Sequence, residues 1–292
     1  TELLDDMQDG IAGLAQANEL TPQQVVAKLK ENYDGYHFSA HSPGVFNPFS
    51  LLSSLANKDF DSYWFASGTP TYLVNMLQRF NVQPASLQRM CAKSSAFDSP
   101  TETMKTITPL LYQSGYITIK GYDKISQLYT LDLPNKEVKV GLFESLLPNY
   151  LDGSYAEQGD VAIARMSVLI RQNDIDGALR LLQTFLATVP YCNVTNHEGH
   201  YQQMLFIIFT LLTHYVVDVE VHTPKGRVDI VMLTADRLYL IELKLNKDAD
   251  AAMKQIDLKN YAERFALSGK LITKVGINFD SSVGNITDWR IA

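Results

Sequence analysis

The sequence predicts an α/β protein with a helical N-terminal part and a C-terminal mixed sheet flanked by helices. Three observations predict this class. Helical segments with clear start signals dominate residues 1–95, a helix–hairpin–helix stretch follows, and short apolar strands are interleaved with helices after residue 196. With 292 residues, 46% of them hydrophobic and 20% charged, the chain is long enough for a sizeable core and for two domains.

The N-terminal helices are predicted from their start signals. Residues 1–31 have helical patterning with a break near residues 18–22, and an Asp34-Gly35 turn flanked by aromatic residues follows. A capping residue followed by proline is typical of a helix start. Proline lacks an N–H group, and in the first turn of a helix that group would have no intrahelical acceptor. Three such pairs predict helix starts: Thr21-Pro22, Asn47-Pro48 and Thr69-Pro70. We assign residues 1–95 to a helical N-terminal domain.

The middle of the chain is predicted to be a small winged-helix-like segment over residues 96–156. A polar connection at residues 95–100 precedes a short helix ending at Gly115, a hairpin turning at residues 121–126, and a helix opened by Pro134. Modules with this outline bind DNA or bind only protein, so the fold does not decide between them. The segment has no basic recognition face, which disfavours DNA. Residues 157–195 are predicted to be a helical connector.

Residues 196–292 are predicted to form the mixed sheet and its helices. The expected order is a buried helix, a three-strand meander, a helix and then one or two strands. The predicted ranges are a helix at 204–212, strands at 216–222 and within 227–244 with a turn at 235–237, a helix at 249–265, and strands at 275–279 and 286–291.

The strongest chemical signal lies between Arg227 and Lys244. Alternation along the second strand places Leu240, Glu242 and Lys244 on one face and Tyr239, Ile241, Leu243 and Leu245 on the other. Ionised groups on a buried strand must be paired or must hold a metal. Asp229 in the preceding strand would meet Glu242 if the two strands pair. Two carboxylates and a lysine indicate a Mg²⁺ or Mn²⁺ site for phosphodiester hydrolysis. A salt bridge at a sheet edge is the structural alternative.

In such a site each residue has a predicted role. Asp229 and Glu242 would bind the metal, and Lys244 would position the attacking water or stabilise the transition state. Glu198, at the start of the buried helix, is a candidate further ligand, and an acid favoured by the helix dipole is the alternative. The surrounding run His-Glu-Gly-His lacks the His-Glu-x-x-His spacing of a zinc protease, so we do not expect zinc.

The helix that follows the Glu242 strand is predicted to complete the site. Gln255 is expected to point back towards the strand. Because cationic and aromatic side chains contact the nucleic-acid backbone and bases, the predicted nucleic-acid contacts are Lys247, Lys254, Lys259 and Tyr261. A solvated helix face is the alternative for all of them.

Charge and composition bound the function further. The chain carries 25 Lys+Arg and 32 Asp+Glu, a net charge of −7, which disfavours a protein that coats nucleic acid. Residues 196–292 account for only −1 of this, so the acidic excess lies outside the candidate site. There is no apolar run of eighteen residues and no signal peptide, so we expect a cytoplasmic protein without membrane contact. Cys91 and Cys192 are expected to be free thiols.

Several activities are not expected from this chain. It contains no Gly-x-x-x-x-Gly-Lys-Ser/Thr loop, so we predict no nucleotide-binding site, and no Gly-x-Ser-x-Gly elbow. Because the sequence has no initiator Met, we expect a fragment or processed piece of a longer protein. Nothing in the sequence indicates the oligomeric state.

The motif at Asp229 resembles a known superfamily. Asp229, twelve intervening residues and Glu242-Leu243-Lys244 resemble the centre of the PD-(D/E)XK nucleases, which have a restriction-endonuclease-like mixed sheet. Glu198 and Gln255 match the positions of the motifs that flank it. Four earlier segments resemble bacterial proteins that join an AAA-ATPase-like domain to such a nuclease: Tyr33–Phe38, Asn47–Ser50, Tyr63–Pro70 and Leu111–Ile119.

The resemblance implies a Mg²⁺-dependent nuclease acting on DNA, with the nuclease domain at residues 196–292. It also implies that residues 1–95 are a helical remnant of an AAA-ATPase-like domain, truncated because the Walker A and Walker B segments are missing. A catalytically inactive nuclease-fold module that binds nucleic acid or a protein partner is the second hypothesis. A regulatory ATPase, the third, would need the missing phosphate loop.

Overall fold

The computed structural model describes residues 2–66, 70–151, 155–189, 197–215, 218–222, 228–258 and 269–292. It contains two compact units, Thr1–Ser145 and Leu146–Ala292. Helices dominate the first unit and a mixed sheet with flanking helices forms the second, which confirms the predicted α/β class. The four predicted domain ranges and the winged-helix description stay predictions.

The first unit is built from short helices and one small sheet. Its helices are α1 (Glu2–Asp5), α2 (Gln8–Ala17), α3 (Pro22–Tyr33), α4 (Pro48–Asn57), α5 (Tyr63–Ala66), α6 (Thr71–Arg79), α7 (Ser94–Phe97), α8 (Thr108–Gln113) and α9 (Lys136–Leu146). Its strands are β1 (Met90–Ala92), β2 (Thr118–Asp123) and β3 (Leu128–Asp132) in the order β1-β3-β2.

Two of the predicted helix starts are visible in their capping contacts. Thr21 caps α3 in a reciprocal box, because Gln24 N donates to Thr21 Oγ1 (3.3 Å) and Thr21 N donates to Gln24 Oε1 (2.8 Å). Asn47 Oδ1 accepts from Phe49 N (3.1 Å) and from Ser50 N (3.4 Å) at the start of α4. These contacts satisfy first-turn N–H groups, as the sequence predicts; the third start, at Thr69, lies outside the described residues.

Two elements of the first unit differ from the prediction. The polar stretch at residues 95–100 begins inside the one-turn helix α7, and β1 was not predicted. β1 pairs antiparallel with β3, with Met90 opposite Leu131, so its partner lies about forty residues away along the chain. A three-residue strand with a distant partner leaves no local periodicity, which is why sequence patterning misses it.

A buried carboxylate, Glu137, lies inside the first unit. It is 3% exposed, and its Oε1 accepts from Trp64 N (2.8 Å) and Ser50 Oγ (2.9 Å). Burial raises the pKa of Glu137, and the two hydrogen bonds offset this only in part. The folded state therefore binds this proton more tightly than the unfolded chain does. The stabilisation is complete below the unfolded pKa and is lost as the pH rises through the folded pKa.

We expect Glu137→Gln to remove this part of the pH dependence. The amide oxygen can still accept from Trp64 and Ser50, but the side chain no longer titrates. The free energy of unfolding of the variant should therefore increase relative to wild type between about pH 4 and pH 8. Urea titrations followed by Trp64 fluorescence, in a Trp289→Phe background, measure this difference. Parallel pH profiles for the two proteins would contradict the assignment.

The second unit holds a five-stranded sheet in the order β4-β5-β6-β7-β8. The β6–β7 pair is parallel and the other pairs are antiparallel. Its elements are α10 (Ala156–Arg171), α11 (Ile175–Thr188), α12 (His197–Tyr215), β4 (Asp218–His222), β5 (Val228–Leu233), β6 (Arg237–Leu245), α13 (Ala249–Leu258), β7 (Leu271–Asp280) and β8 (Asn285–Ile291). This is the predicted order of helix, meander, helix and strands.

Helices cover both faces of the sheet. Leu238 and Leu240 of β6 pack with Ile256, so α13 lies on the face that carries Glu242 and Lys244. On the opposite face, the Tyr239 hydroxyl donates to Asn173 Oδ1 (3.1 Å) between α10 and α11. The strand alternation predicted for β6 is therefore confirmed by its contacts. Within the part of the chain that the structure describes, no helix combines the length and apolarity needed to cross a membrane.

Candidate active site on the sheet face under α13

Strand register brings the two predicted acids to neighbouring positions. In the antiparallel β5–β6 pair, Asp229 lies directly opposite Glu242. Directly opposed residues in such a pair share a face and have Cβ atoms about 4.5–5.5 Å apart. Val231 and Leu233, at alternate positions from Asp229, pack with Leu240 under α13. The backbone therefore places Asp229 on the face of Glu242, although its side chain lies outside what the structure describes.

Glu242 and Lys244 form a buried ion pair. Glu242 is 1% exposed and Lys244 is 6% exposed, and Lys244 Nζ lies 2.7 Å from Glu242 Oε1. The same ammonium donates to Gln255 Oε1 on α13. One lysine therefore joins the strand carboxylate to the helix amide. Gln255 Nε2 is buried and has no hydrogen-bond partner among the described residues, so it has a donor to spare.

Gly276 of β7 allows α13 to approach the sheet. It is paired with Glu242 across the parallel β6–β7 ladder. A Cβ at this position would lie 2.7 Å from Ala249 O, 2.9 Å from Met253 Cγ and 3.0 Å from Met253 N. Because two of these atoms are backbone, a side chain could be accommodated only if α13 moved. The close contact therefore sets the height of Gln255 above Lys244.

Asn278 fixes the loop between β6 and α13. It is buried, lies opposite Lys244 in the ladder, and accepts from Lys247 N at 2.9 Å. Its Nδ2 donates to Thr287 Oγ1 at 2.9 Å. Asn278 and Gly276 were both missed by sequence reasoning. A polar residue inside the predicted strand at 275–279 is the signal that could have pointed to Asn278.

The structure describes the remaining predicted residues only in part. Glu198 belongs to the first turn of α12, and its side chain lies outside the described part. Lys247, in the loop before α13, and Lys254, in the middle of α13, are both exposed. Lys259 and Tyr261 lie outside the described residues. The structure therefore brings together Glu242, Lys244 and Gln255 by contact and Asp229 by register.

Two ion pairs join acidic residues of α13 to cationic residues of the neighbouring strands. Lys274 Nζ lies 2.6 Å from Asp257 Oδ1, and Arg290 Nε lies 3.4 Å from Asp250 Oδ1. These pairs are largely solvent-exposed and contribute little stability. They neutralise two cations near the site that could otherwise meet phosphate.

Comparison with known proteins agrees with this geometry. Residues 196–289 match the PD-(D/E)XK nuclease superfamily. The match covers α12 to β8, which is the part of the chain that carries the Asp229–Glu242 register and the Lys244 contacts. The matched region therefore coincides with the region that holds these contacts, and the similarity suggests a nuclease-like function.

One curated relative matches most of the chain. The "Uncharacterized protein in vnfD 5'region" of Azotobacter chroococcum mcd 1 is 30% identical over 261 residues. The match covers 86% of this chain but 50% of that protein, so the chain spans about half the length of its relative. No solved structure matches the chain.

Within the matched region, one carboxylate that could hold a divalent metal is described directly and a second is placed by register alone. PD-(D/E)XK nucleases usually use divalent ions such as Mg²⁺, which prefers carboxylate oxygen ligands. Glu242 supplies a carboxylate inside the domain, and the register brings Asp229 to the facing position. Among the side chains that the structure describes, no group of three His, Cys, Asp or Glu could hold a metal. Asp229 and Glu198 lie outside that set.

Proposed function

We propose that the PD-(D/E)XK domain hydrolyses phosphodiester bonds of DNA with the help of Mg²⁺ or Mn²⁺. The observation that carries the proposal is the buried Lys244 ammonium, which contacts both Glu242 and Gln255 beside the register position of Asp229. A buried ion pair costs desolvation energy and rarely adds net stability, so a purely structural role explains it poorly. A catalytic role explains both charges.

Asp229 and Glu242 would hold the metal, with Glu198 as a further ligand. When bound, the metal would lower the pKa of an attacking water and neutralise negative charge on the scissile phosphate. Lys244 would orient that water or stabilise the negative charge that develops in the transition state. Gln255 holds the lysine through Oε1, and its Nε2 can donate to a phosphate oxygen. Outside the centre, Lys247, Lys254, Lys259 and Tyr261 would contact the nucleic acid.

A second candidate function is a nuclease-fold module that binds nucleic acid or a protein partner without cleaving. The ion pairs of Lys274 with Asp257 and of Arg290 with Asp250 favour it, because they leave less positive charge for a DNA backbone. The net charge of −7 favours it as well.

Residues 1–95, within the first unit, are proposed to be a helical remnant of an AAA-ATPase-like domain. The supporting observation is the resemblance of the segments at residues 33–38, 47–50, 63–70 and 111–119. We retain the proposed ranges of 1–95 for this remnant, 96–156 for a winged-helix-like segment, 157–195 for a connector and 196–292 for the nuclease domain. Because the relative is about twice as long as this chain, the activity of a whole protein of that kind is also a proposal.

The nuclease proposal is tested by incubating supercoiled plasmid and single-stranded DNA with the full chain and Mg²⁺ or Mn²⁺. We expect cleavage that EDTA abolishes and that falls to background in Glu242→Gln, which keeps an acceptor for Lys244 but removes the charge. Glu157→Gln is the matched control, because it makes the same exchange at an exposed carboxylate on α10 and should leave cleavage unchanged.

Two outcomes would contradict the nuclease proposal. Equal cleavage by wild type and Glu242→Gln would mean that the activity comes from elsewhere. Absence of cleavage with either metal, together with DNA binding, would favour the second candidate. Calorimetric titration with Mn²⁺ separates metal binding from cleavage, and Asp229→Asn should weaken the binding.

A further inference from the structure

The first unit contains a cavity that the nuclease proposal does not use. Its volume is about 450 Å³, which lies within the range of small-molecule sites, about 300–1,000 Å³. Its aromatic lining includes Tyr36, Phe38, Phe46, Trp64 and Tyr112. These residues come from the loop after α3, from α5 and from α8, so distant parts of the unit converge on one space.

Two of the lining rings are held in place from behind. The Trp64 ring packs on Tyr116 with centroids 5.0 Å apart and edge-on against Phe65 at 5.2 Å. The Tyr112 ring packs edge-on against Phe97 at 4.7 Å. Rings fixed in this way lose little conformational entropy when a ligand stacks on them. The aromatic walls are therefore preorganised.

Gly115 keeps the space in front of two rings open. Its φ is +78°, a backbone conformation that favours glycine. A Cβ at this position would lie 3.6 Å from Tyr36 Cε1 and 3.9 Å from Trp64 Cζ2. Any side chain here would therefore project onto both rings. With glycine, that volume is left for a ligand.

The polar side chains of the cavity are mostly hydroxyl and amide groups, beside the imidazole of His37. Among the described lining residues there is no Lys, Arg, Asp or Glu. The lining includes the Gln113 amide and the Ser114 hydroxyl. Because Gln113 Nε2 donates to Ser99 O (2.8 Å), the Oε1 atom of Gln113 is the atom left to accept a hydrogen bond. Flat aromatic walls with neutral donors and acceptors at the edge match a planar heterocycle bearing N–H and C=O groups.

We propose that this cavity binds a nucleobase by stacking between its aromatic side chains, with any sugar and phosphate left outside. The base comes either from a free nucleoside or nucleotide or from a single-stranded nucleic acid. The proposal does not depend on catalysis by the second unit, because every residue that carries it belongs to the first.

Trp64 fluorescence tests the proposal directly. The chain has two Trp residues, so Trp289→Phe leaves Trp64 as the sole reporter. The full-length variant is titrated with adenosine, with cytidine, with a short deoxyadenosine oligonucleotide and with phenylalaninamide. We expect saturable quenching by the base-bearing probes and much weaker quenching by phenylalaninamide. Similar affinities for nucleoside and oligonucleotide indicate a free base, whereas much tighter oligonucleotide binding indicates a base within a strand.

A pair of exposed phenylalanines provides the matched variants. Phe38 lines the cavity and is 74% exposed, so Phe38→Ala should fold normally and weaken binding by about tenfold, the typical loss of one stacking partner. Phe49 is 53% exposed and lies outside the lining, so Phe49→Ala should bind as well as its parent. Absence of saturable quenching by any base, equal affinity of Phe38→Ala and its parent, or equal binding of phenylalaninamide would each overturn the proposal.

Discussion

Replacing Lys244 with methionine is expected to lower the free energy of unfolding of the Leu146–Ala292 unit by about 3–5 kcal/mol. Methionine keeps the apolar stem but removes the ammonium from a carboxylate that is 1% exposed and lies 2.7 Å away. The interior then holds a charge that has lost its closest opposite partner. Urea unfolding followed by Trp289 fluorescence, in a Trp64→Phe background, measures the loss in this unit alone.

The double variant Glu242→Leu/Lys244→Met is the control for this effect. Replacing both members of a buried ion pair with apolar residues of similar size is often neutral or stabilising. We therefore expect the double variant to recover most of the stability that Lys244→Met loses. A loss below about 1 kcal/mol in the single variant, as for an exposed pair, would mean that Glu242 does not depend on Lys244.

Gly276→Ala is expected to damage the site through α13. The new Cβ would meet Ala249 O at 2.7 Å and Met253 N at 3.0 Å, so the helix must move away from the sheet. Overpacking of this kind costs about 1–3 kcal/mol of stability. If the domain cleaves DNA as proposed, activity should fall by about 100-fold, because Gln255 moves with the helix away from Lys244.

Gly121→Ala provides the comparison for this substitution. Gly121 also lies in a strand, but a Cβ there would be 3.9 Å from the nearest atoms of Thr130, an ordinary contact. We expect its stability to match wild type within a few tenths of a kcal/mol or to rise slightly, since alanine restricts the unfolded chain. If Gly276→Ala behaved in the same way in unfolding and cleavage assays, the close approach of α13 would not matter for the site.

The parts of the fold that depend on local pattern could be predicted from the sequence. The period of two in β6 assigns Glu242 and Lys244 to the face that the structure places under α13. The turn after β5 is short, so pairing of Asp229 with Glu242 follows from the chain itself. Helix starts at Thr21 and Asn47 are equally local, because cap and first turn are adjacent in sequence.

The parts of the fold that depend on contacts between distant residues could not be predicted from the sequence. β7 begins at Leu271, four residues before the predicted strand. The sequence pattern missed this first part because Thr273 and Lys274 interrupt the run of apolar residues. Lys274 is accommodated by its ion pair with Asp257 on α13, a contact that no local window contains. The importance of Gly276 likewise arises only when β7 lies beside β6 with α13 above both.

The burial of the Glu242–Lys244 pair has a dynamic consequence. A carboxylate that is 1% exposed gives neither a hydrated ion nor a phosphodiester room to reach it. If the region cleaves DNA as proposed, the Glu242 carboxylate must therefore become accessible transiently and the contacts with Gln255 must then re-form. Since α13 covers this face in the described part of the chain, hydrogen exchange in α13 would report how often the buried pair is exposed.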